Sequence, residues 1–182
     1  MQVIDTCIDE VKIIEPNVFK DDRGFFYESF NSSLFNISLN LSINFVQDNH
    51  SLSKKGTLRG IHYQVNNASQ AKLVRVIRGS IFDCAIDLRH GSASFKKWVS
   101  VELSATNKKQ LWIPSGFGHA FLALEDNTEV LYKTDKYYSK SDERTIIWND
   151  KDININWPDI NQKYLISEKD NQGSLLKNAE IF

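Results

Sequence analysis

From Val11 to Trp157 the sequence breaks into roughly ten short apolar or alternating runs, with turn residues between them and almost no helical period. In such a run every second side chain shares a face. A series of short runs at this spacing predicts an all-β chain folded as a sandwich or jelly roll.

The runs can be placed in order. Val11–Glu15 is a strand limited by Pro16, and Asp21-Asp22-Arg23-Gly24 is a charged turn. Phe25–Phe30 reads as a strand with Phe26, Glu28 and Phe30 on one face. Ser32 or Ser33 is suited to cap a short helix, and strict alternation from Ile37 to Phe45 predicts a half-buried strand. Lys72–Asp87 reads as two strands joined at Gly79, the first with Lys72, Val74 and Val76 on one face. Trp98–Leu103, Leu111–Phe121 (strand, turn, strand) and Thr128–Lys133 continue the pattern. Asp150–Trp157 alternates again, with Ile153, Ile155 and Trp157 together. After Pro158 the chain turns polar, and a loosely helical or irregular tail is expected. No linker, repeat or low-complexity stretch interrupts residues 1–182, which are read as a single domain.

Composition narrows the partners. An aromatic load of 11 Phe, 6 Tyr and 4 Trp suits a β core. A net charge of −1 supplies no bulk attraction to nucleic acid or an anionic membrane, so anion recognition has to be local. Residues 29–47 lack charge but are too often interrupted by Asn and Ser to span a membrane. Cys7 and Cys84 are too few for a disulfide framework, and the N-terminus lacks signal-peptide character. A cytoplasmic protein with free thiols is expected.

The chemistry concentrates in Thr57-Leu-Arg-Gly-Ile-His-Tyr-Gln64. Arg is the side chain best shaped to hold a phosphate by two hydrogen bonds, and His the one best suited to move protons near neutral pH. Arg59 and His62 differ in parity, so a flat strand would point them to opposite faces. A bulge at Gly60 would bring them to one side. The competing reading is an interior strand with one satisfied His and one surface Arg.

Gly56-x3-Gly60-x-His62-x-Gln64 and Pro114-x-Gly116-x2-His119 resemble the two motifs of the cupin superfamily, a jelly roll or double-stranded β-helix. Metal-binding cupins usually place two His and a Glu in the first motif. Here Gln64 stands at the second His position and no Glu follows at the usual distance, so no metal and no cofactor are expected. His62, Lys72, His119, Arg59 and Tyr132 then suit proton abstraction beside a carbonyl. Each taken alone also has a structural reading: Tyr132 at a sandwich edge, Lys72 on a solvated face, His119 in the core. His50 and His90 are read as structural or surface residues.

Six motifs in order, Asp21–Glu28, Phe45–Ser51, Leu58–Gln64, Lys72-Leu-Val, Trp112-Ile-Pro-x-Gly-Phe-x-His119 and Tyr132-Lys, resemble the dTDP-4-dehydrorhamnose 3,5-epimerases. The resemblance runs from the first strand to Asp170. It implies a metal-free cupin jelly roll with short helices at its periphery and in the C-terminal tail. It also implies an isomerase that inverts C3 and C5 of dTDP-4-dehydro-6-deoxy-D-glucose toward the L-rhamnose precursor. By the same resemblance His62 is the base, Asp170 the carboxylate that orients it, Tyr132 the acid, and Lys72 the cation beside the C4 oxygen. Arg23, Arg59, His119 and Lys169 would hold the diphosphate or sugar. Glu28, Gln47, Asp48, Asn49 and Glu143 would contact the nucleotide sugar, and Tyr138 would stack on thymine. The resemblance further implies a homodimer in which Arg23 and Glu28 reach the partner's site.

Ala71 stands where the family usually has Gly, and Asn66-Asn67 where prolines are common. Three alternatives stand beside this reading: a single-centre epimerase or ketoisomerase on a related sugar, a metal-dependent cupin oxygenase, and a non-catalytic sugar-binding cupin.

Overall fold

The computed structural model describes residues 1–182. The chain opens with β1 (Gln2–Asp5), β2 (Lys12–Glu15) and the hairpin β3 (Phe19–Asp21) and β4 (Gly24–Phe26). Helix α1 (Ser32–Leu39), β5 (Gln47–Ser53) and β6 (Thr57–Gln64) follow. Next come β7 (Lys72–Arg78), β8 (Ser80–Asp87), β9 (Trp98–Ser104), β10 (Gln110–Ile113), β11 (Phe117–Ala123) and β12 (Thr128–Thr134). β13 (Glu143–Thr145), β14 (Leu165–Ile166) and the one-turn helix α2 (Glu168–Asn171) belong to the last part of the chain.

Two sheets carry the fold, in the orders β1-β2-β10-β7-β12-β5 and β13-β6-β11-β8-β9, with β14 parallel to the start of β6. Their facing sides meet in a core of Val74, Val76, Leu111, Ile113 and Val130 from the first sheet. The second contributes Ile81, Ala85, Leu103, Phe117 and Phe121. This is the expected all-β cupin jelly roll with short peripheral helices.

Neither outer face is left bare. On the second sheet, Cys84, Ile86 and Ala120 pack under Ile146, Ile153 and Leu176 from the C-terminal part of the chain. On the first, Ile14, Leu73 and Trp112 pack under Phe35 of α1. With both faces covered, a strand such as Ile81–Ile86 reads as nearly continuous apolar sequence rather than strict alternation.

Four local expectations are corrected. Ile37–Phe45 is not a strand: α1 occupies Ser32–Leu39 and closes at Asn40, φ +52°. Its cap is Asn31, not Ser32 or Ser33, and the Asn31 side chain accepts the Leu34 N–H at 3.1 Å. Phe35 packs among Phe30, Phe45 and Trp112, and that aromatic cluster outweighs the alternation, which leaves Ile37 exposed. The strand expected over Phe25–Phe30 stops at Phe26, so Phe26, Glu28 and Phe30 share no strand face; Phe26 is exposed while Phe30 joins the cluster. Asp150–Trp157 forms turns, because the buried Asp150 carboxylate accepts the N–H groups of Asp152, Ile153 and Leu176. Ile153, Ile155 and Trp157 nevertheless pack on the same cluster.

Candidate active site

Between the two sheets, at the end not filled by the apolar core, lies a cavity of about 270 Å³. Arg59 and His62 from β6, Lys72 from β7, His119 from β11 and Tyr132 from β12 all line it. Tyr138 and Glu143 stand at its edge.

Arg59 and His62 reach one cavity because β6 carries the expected bulge. His62 pairs with His119 and Arg59 with Phe121, so β6 uses one residue more than β11 over the same span. Gly60 sits at the irregularity with φ +118°. A Cβ there would lie 2.6 Å from the Ala120 Cβ and from the His119 carbonyl oxygen, so no other residue fits without a shift of backbone. The Gly60–Ile61 peptide is cis.

Each of the two paired histidines has a carboxylate. His62 Nε2 lies 2.5 Å from Asp170 Oδ1, leaving the other ring nitrogen to act. Asp170 is buried and is delivered by α2, which Ser167 caps through the Asp170 N–H at 3.1 Å. Burial pushes the Asp170 carboxyl up, but the His62 bond and charge, the Gly60 N–H and Ser167 together hold it below the usual range. His119 Nε2 lies 2.7 Å from Asp83 Oδ1, both groups buried. Burial lowers the His119 pKa, Asp83 opposes it, and the Lys72 and His62 charges add to the lowering.

Lys72 is buried at the start of β7, with Nζ 5.8 Å from the Tyr132 ring centroid and 3.5 Å from the His62 carbonyl oxygen. Burial lowers its pKa to about 8, against the charges of Asp83 and Glu143. Burial raises the Tyr132 pKa, so its hydroxyl stays protonated at neutral pH.

The rim is a linked set. Lys169 Nζ bonds Glu143 Oε1 at 2.5 Å, and Tyr138 donates its hydroxyl to Glu143 Oε2 at 3.2 Å. Burial raises the Glu143 carboxyl, but Lys169 outweighs it and holds the group below the usual range. The Tyr138 N–H is accepted by Gln47 Oε1 at 3.1 Å, and Gln47 in turn donates to Asn49. Arg59 donates Nε–H to Ser53 Oγ at 3.2 Å.

Three of the expected residues stand apart from the cavity of their own chain. Asp48 alternates with Gln47 and Asn49 along β5, projects from the other face, and pairs with Lys133 at 2.9 Å. Arg23, with its side chain 90% exposed, turns back on Asp21 at the β3–β4 hairpin. Glu28 lies in a separate cleft with Phe19 and Phe30.

Sequence reasoning passed over Asp83, which interrupts an apolar strand in phase with Ile81 and Ala85. An acid on an inward face was the available signal. Its Oδ2 is buried without a hydrogen-bond partner. Ser51, also lining the cavity, carried no comparable signal.

A base with its carboxylate, a buried ammonium and a protonated phenol around one cavity can remove a proton beside a carbonyl, stabilise the enolate and return a proton. Comparison with known proteins agrees with that chemistry. The model of the dTDP-4-dehydrorhamnose 3,5-epimerase family matches residues 5–178. The dTDP-4-dehydrorhamnose 3,5-epimerase of Shigella flexneri is 53% identical, the alignment covering 100% of this chain and 99% of that protein. The enzyme of the same name from Escherichia coli K12 is 54% identical over 93% of this chain and 91% of its own. Among solved structures, the dTDP-6-deoxy-D-glucose-3,5-epimerase of Legionella pneumophila, in complex with dTDP-4-keto-L-rhamnose, superposes with a TM-score of 0.95. It is 45% identical and covers 98% of this chain and 94% of its own. No helix of the present chain is long and apolar enough to cross a membrane.

Proposed function

The chain belongs to the dTDP-4-dehydrorhamnose 3,5-epimerase family, and from that premise we propose how its residues carry out the family's reaction. The enzyme is an isomerase that inverts C3 and C5 of dTDP-4-dehydro-6-deoxy-D-glucose, giving dTDP-4-dehydro-L-rhamnose.

Both carbons flank the C4 ketone, which makes their hydrogens acidic. His62 takes the proton on its free nitrogen, and Asp170 stabilises the imidazolium that forms. The C–H electron pair moves into the ring as an enolate, whose charge gathers on the C4 oxygen beside the Lys72 ammonium. The Tyr132 hydroxyl returns a proton to the opposite face, and solvent restores both groups. Each inversion removes one proton and adds one, so no oxidant or reductant enters. The observation that carries these roles is the convergence of His62–Asp170, Lys72 and Tyr132 on one cavity.

Arg59, His119 and Lys169 are suited to the diphosphate or sugar, and Gln47, Asn49 and Glu143 to the nucleotide sugar. Tyr138, half exposed at the rim, is suited to stack on thymine. Arg23 and Glu28 would serve the site of a second copy. Support comes from the hairpin around Arg23, where Phe19, Phe25 and Phe26 stand 64%, 57% and 67% exposed, an apolar patch that calls for a covering partner. Asp48 belongs to the same proposal, since its side chain also leaves its own cavity.

Incubation with dTDP-4-dehydro-6-deoxyglucose in D2O tests the reaction. Product carrying one deuteron at C3 and one at C5 is expected; label at one carbon only would make it a single-centre epimerase.

A further inference from the structure

Gln64 stands where metal-binding cupins carry a second histidine, and its side chain is otherwise engaged. It is buried at the end of β6, with both polar ends bonded. Oε1 accepts the Ser139 N–H at 2.7 Å, and Nε2 donates to the Ala68 carbonyl at 3.2 Å. From the other sheet, Gln47 Oε1 accepts the neighbouring Tyr138 N–H at 3.1 Å. Two consecutive backbone amides are thus each held by a glutamine carbonyl, one from each sheet.

Fixing two successive peptide N–H groups fixes the direction in which the Tyr138 side chain leaves the backbone. The phenol is steered a third time by Glu143, which accepts its hydroxyl at 3.2 Å. Glu143 and Gln47 each have a second polar partner, Lys169 and Asn49. Gln64 is the buried member of this frame, and a buried amide satisfied at both ends has one stable orientation.

We infer that Gln64 is a positioning residue for nucleobase recognition, acting through the Tyr138–Ser139 backbone rather than on the substrate itself. The inference rests on the reading of Tyr138 as the aromatic that stacks on thymine. The position that supplies a metal ligand in other cupins would here serve to aim an aromatic platform.

A double-mutant cycle on the full-length protein, read by calorimetric binding of dTDP, tests this. Tyr138→Ala should weaken dTDP roughly tenfold, the loss of one base–aromatic stack. Gln64→Met, close in volume but unable to hold the Ser139 N–H, should weaken it by about three- to tenfold. With Tyr138→Ala already present, Gln64→Met should change affinity less than about twofold. Steady-state rates with the sugar nucleotide should show the Gln64→Met loss mainly in KM rather than kcat. Equal losses in both backgrounds would overturn the inference while leaving the stacking role of Tyr138 intact. Undiminished dTDP binding by Tyr138→Ala would overturn that role and the inference with it. Should Gln64→Met fail to fold, Gln64→Glu takes its place: it removes the donor to the Ala68 carbonyl and sets a carboxylate oxygen against it, freeing the side chain that holds Ser139. Neutral thymidine, followed by NMR, then avoids any new repulsion with a diphosphate. A loss of roughly three- to tenfold is expected that shrinks below about twofold in the Tyr138→Ala background, and equal losses in both backgrounds would overturn the inference.

Discussion

His62 Nε2 and Asp170 Oδ1 lie 2.5 Å apart although 108 residues separate them in sequence. The contact spans the molecule's topology: His62 comes from the bulged strand β6, Asp170 from a one-turn helix in the tail. The Gly60 N–H also points to Asp170 Oδ2, at 3.4 Å, so the bulge that aims the histidine also holds its carboxylate.

Asp170→Asn should therefore fold and yet turn over at least roughly tenfold more slowly, because the amide cannot stabilise the imidazolium. Circular dichroism and kcat measured on one preparation check this. Wild-type turnover would show that Asp170 does not assist the base.

His62 and Tyr132 should separate exchange from inversion. With His62→Ala no enolate forms, and neither deuterium incorporation nor L-sugar is expected. With Tyr132→Phe the base survives, so deuterium should enter at C3 or C5 with configuration largely retained and little L-sugar formed. NMR of substrate and product in D2O follows both. Inversion at near wild-type rate by Tyr132→Phe would remove it from the role of acid.

Lys72 should give activity and stability opposite pH slopes. Its folded pKa, about 8, lies below the ordinary 10.5, so between these values the unfolded chain binds the proton and the folded chain does not. Stability attributable to this group therefore rises with pH across that window, as the cost of a buried ammonium is relieved. Activity that depends on the ammonium falls over the same range. Lys72→Met should remove that rise in stability, read as the wild-type-minus-variant difference in denaturant unfolding. It should also lower kcat/KM by at least about tenfold. A stability difference flat from pH 8 to 10.5 would place Lys72 outside this account.

Arg23 should act in trans. Arg23→Ala and His62→Ala, each poorly active alone, should regain activity when their subunits are mixed and exchanged, because one hybrid site then carries both wild-type residues. No recovery after exchange verified by native mass spectrometry would show that each site is built from one chain.

The sequence by itself determined the layering and most of the residues that line the cavity. Alternation is a local record of which side chains share a face, so it grouped Lys72, Val74 and Val76, all of which the closed sheets bury. Gly60 between Arg59 and His62 made a bulge one of two readings, the one that resolves their parity conflict if both side chains serve one site, and β6 carries it.

Tertiary structure decided what covers each face and which groups pair. Ile37–Phe45 alternates, yet Phe35 found a better burial against Trp112 as part of a helix. Ile153, Ile155 and Trp157 were gathered by turns around Asp150. The partner of His119 is Asp83, 36 residues away on the neighbouring strand, and that of His62 comes from the tail. Whether Asp48 looks into its own cavity or away from it depended on the register of β5 against β12. Such pairings are set by contacts between segments distant along the chain, whose energies enter only when the sheets close on each other. Period and turn chemistry, being local, carry no record of them.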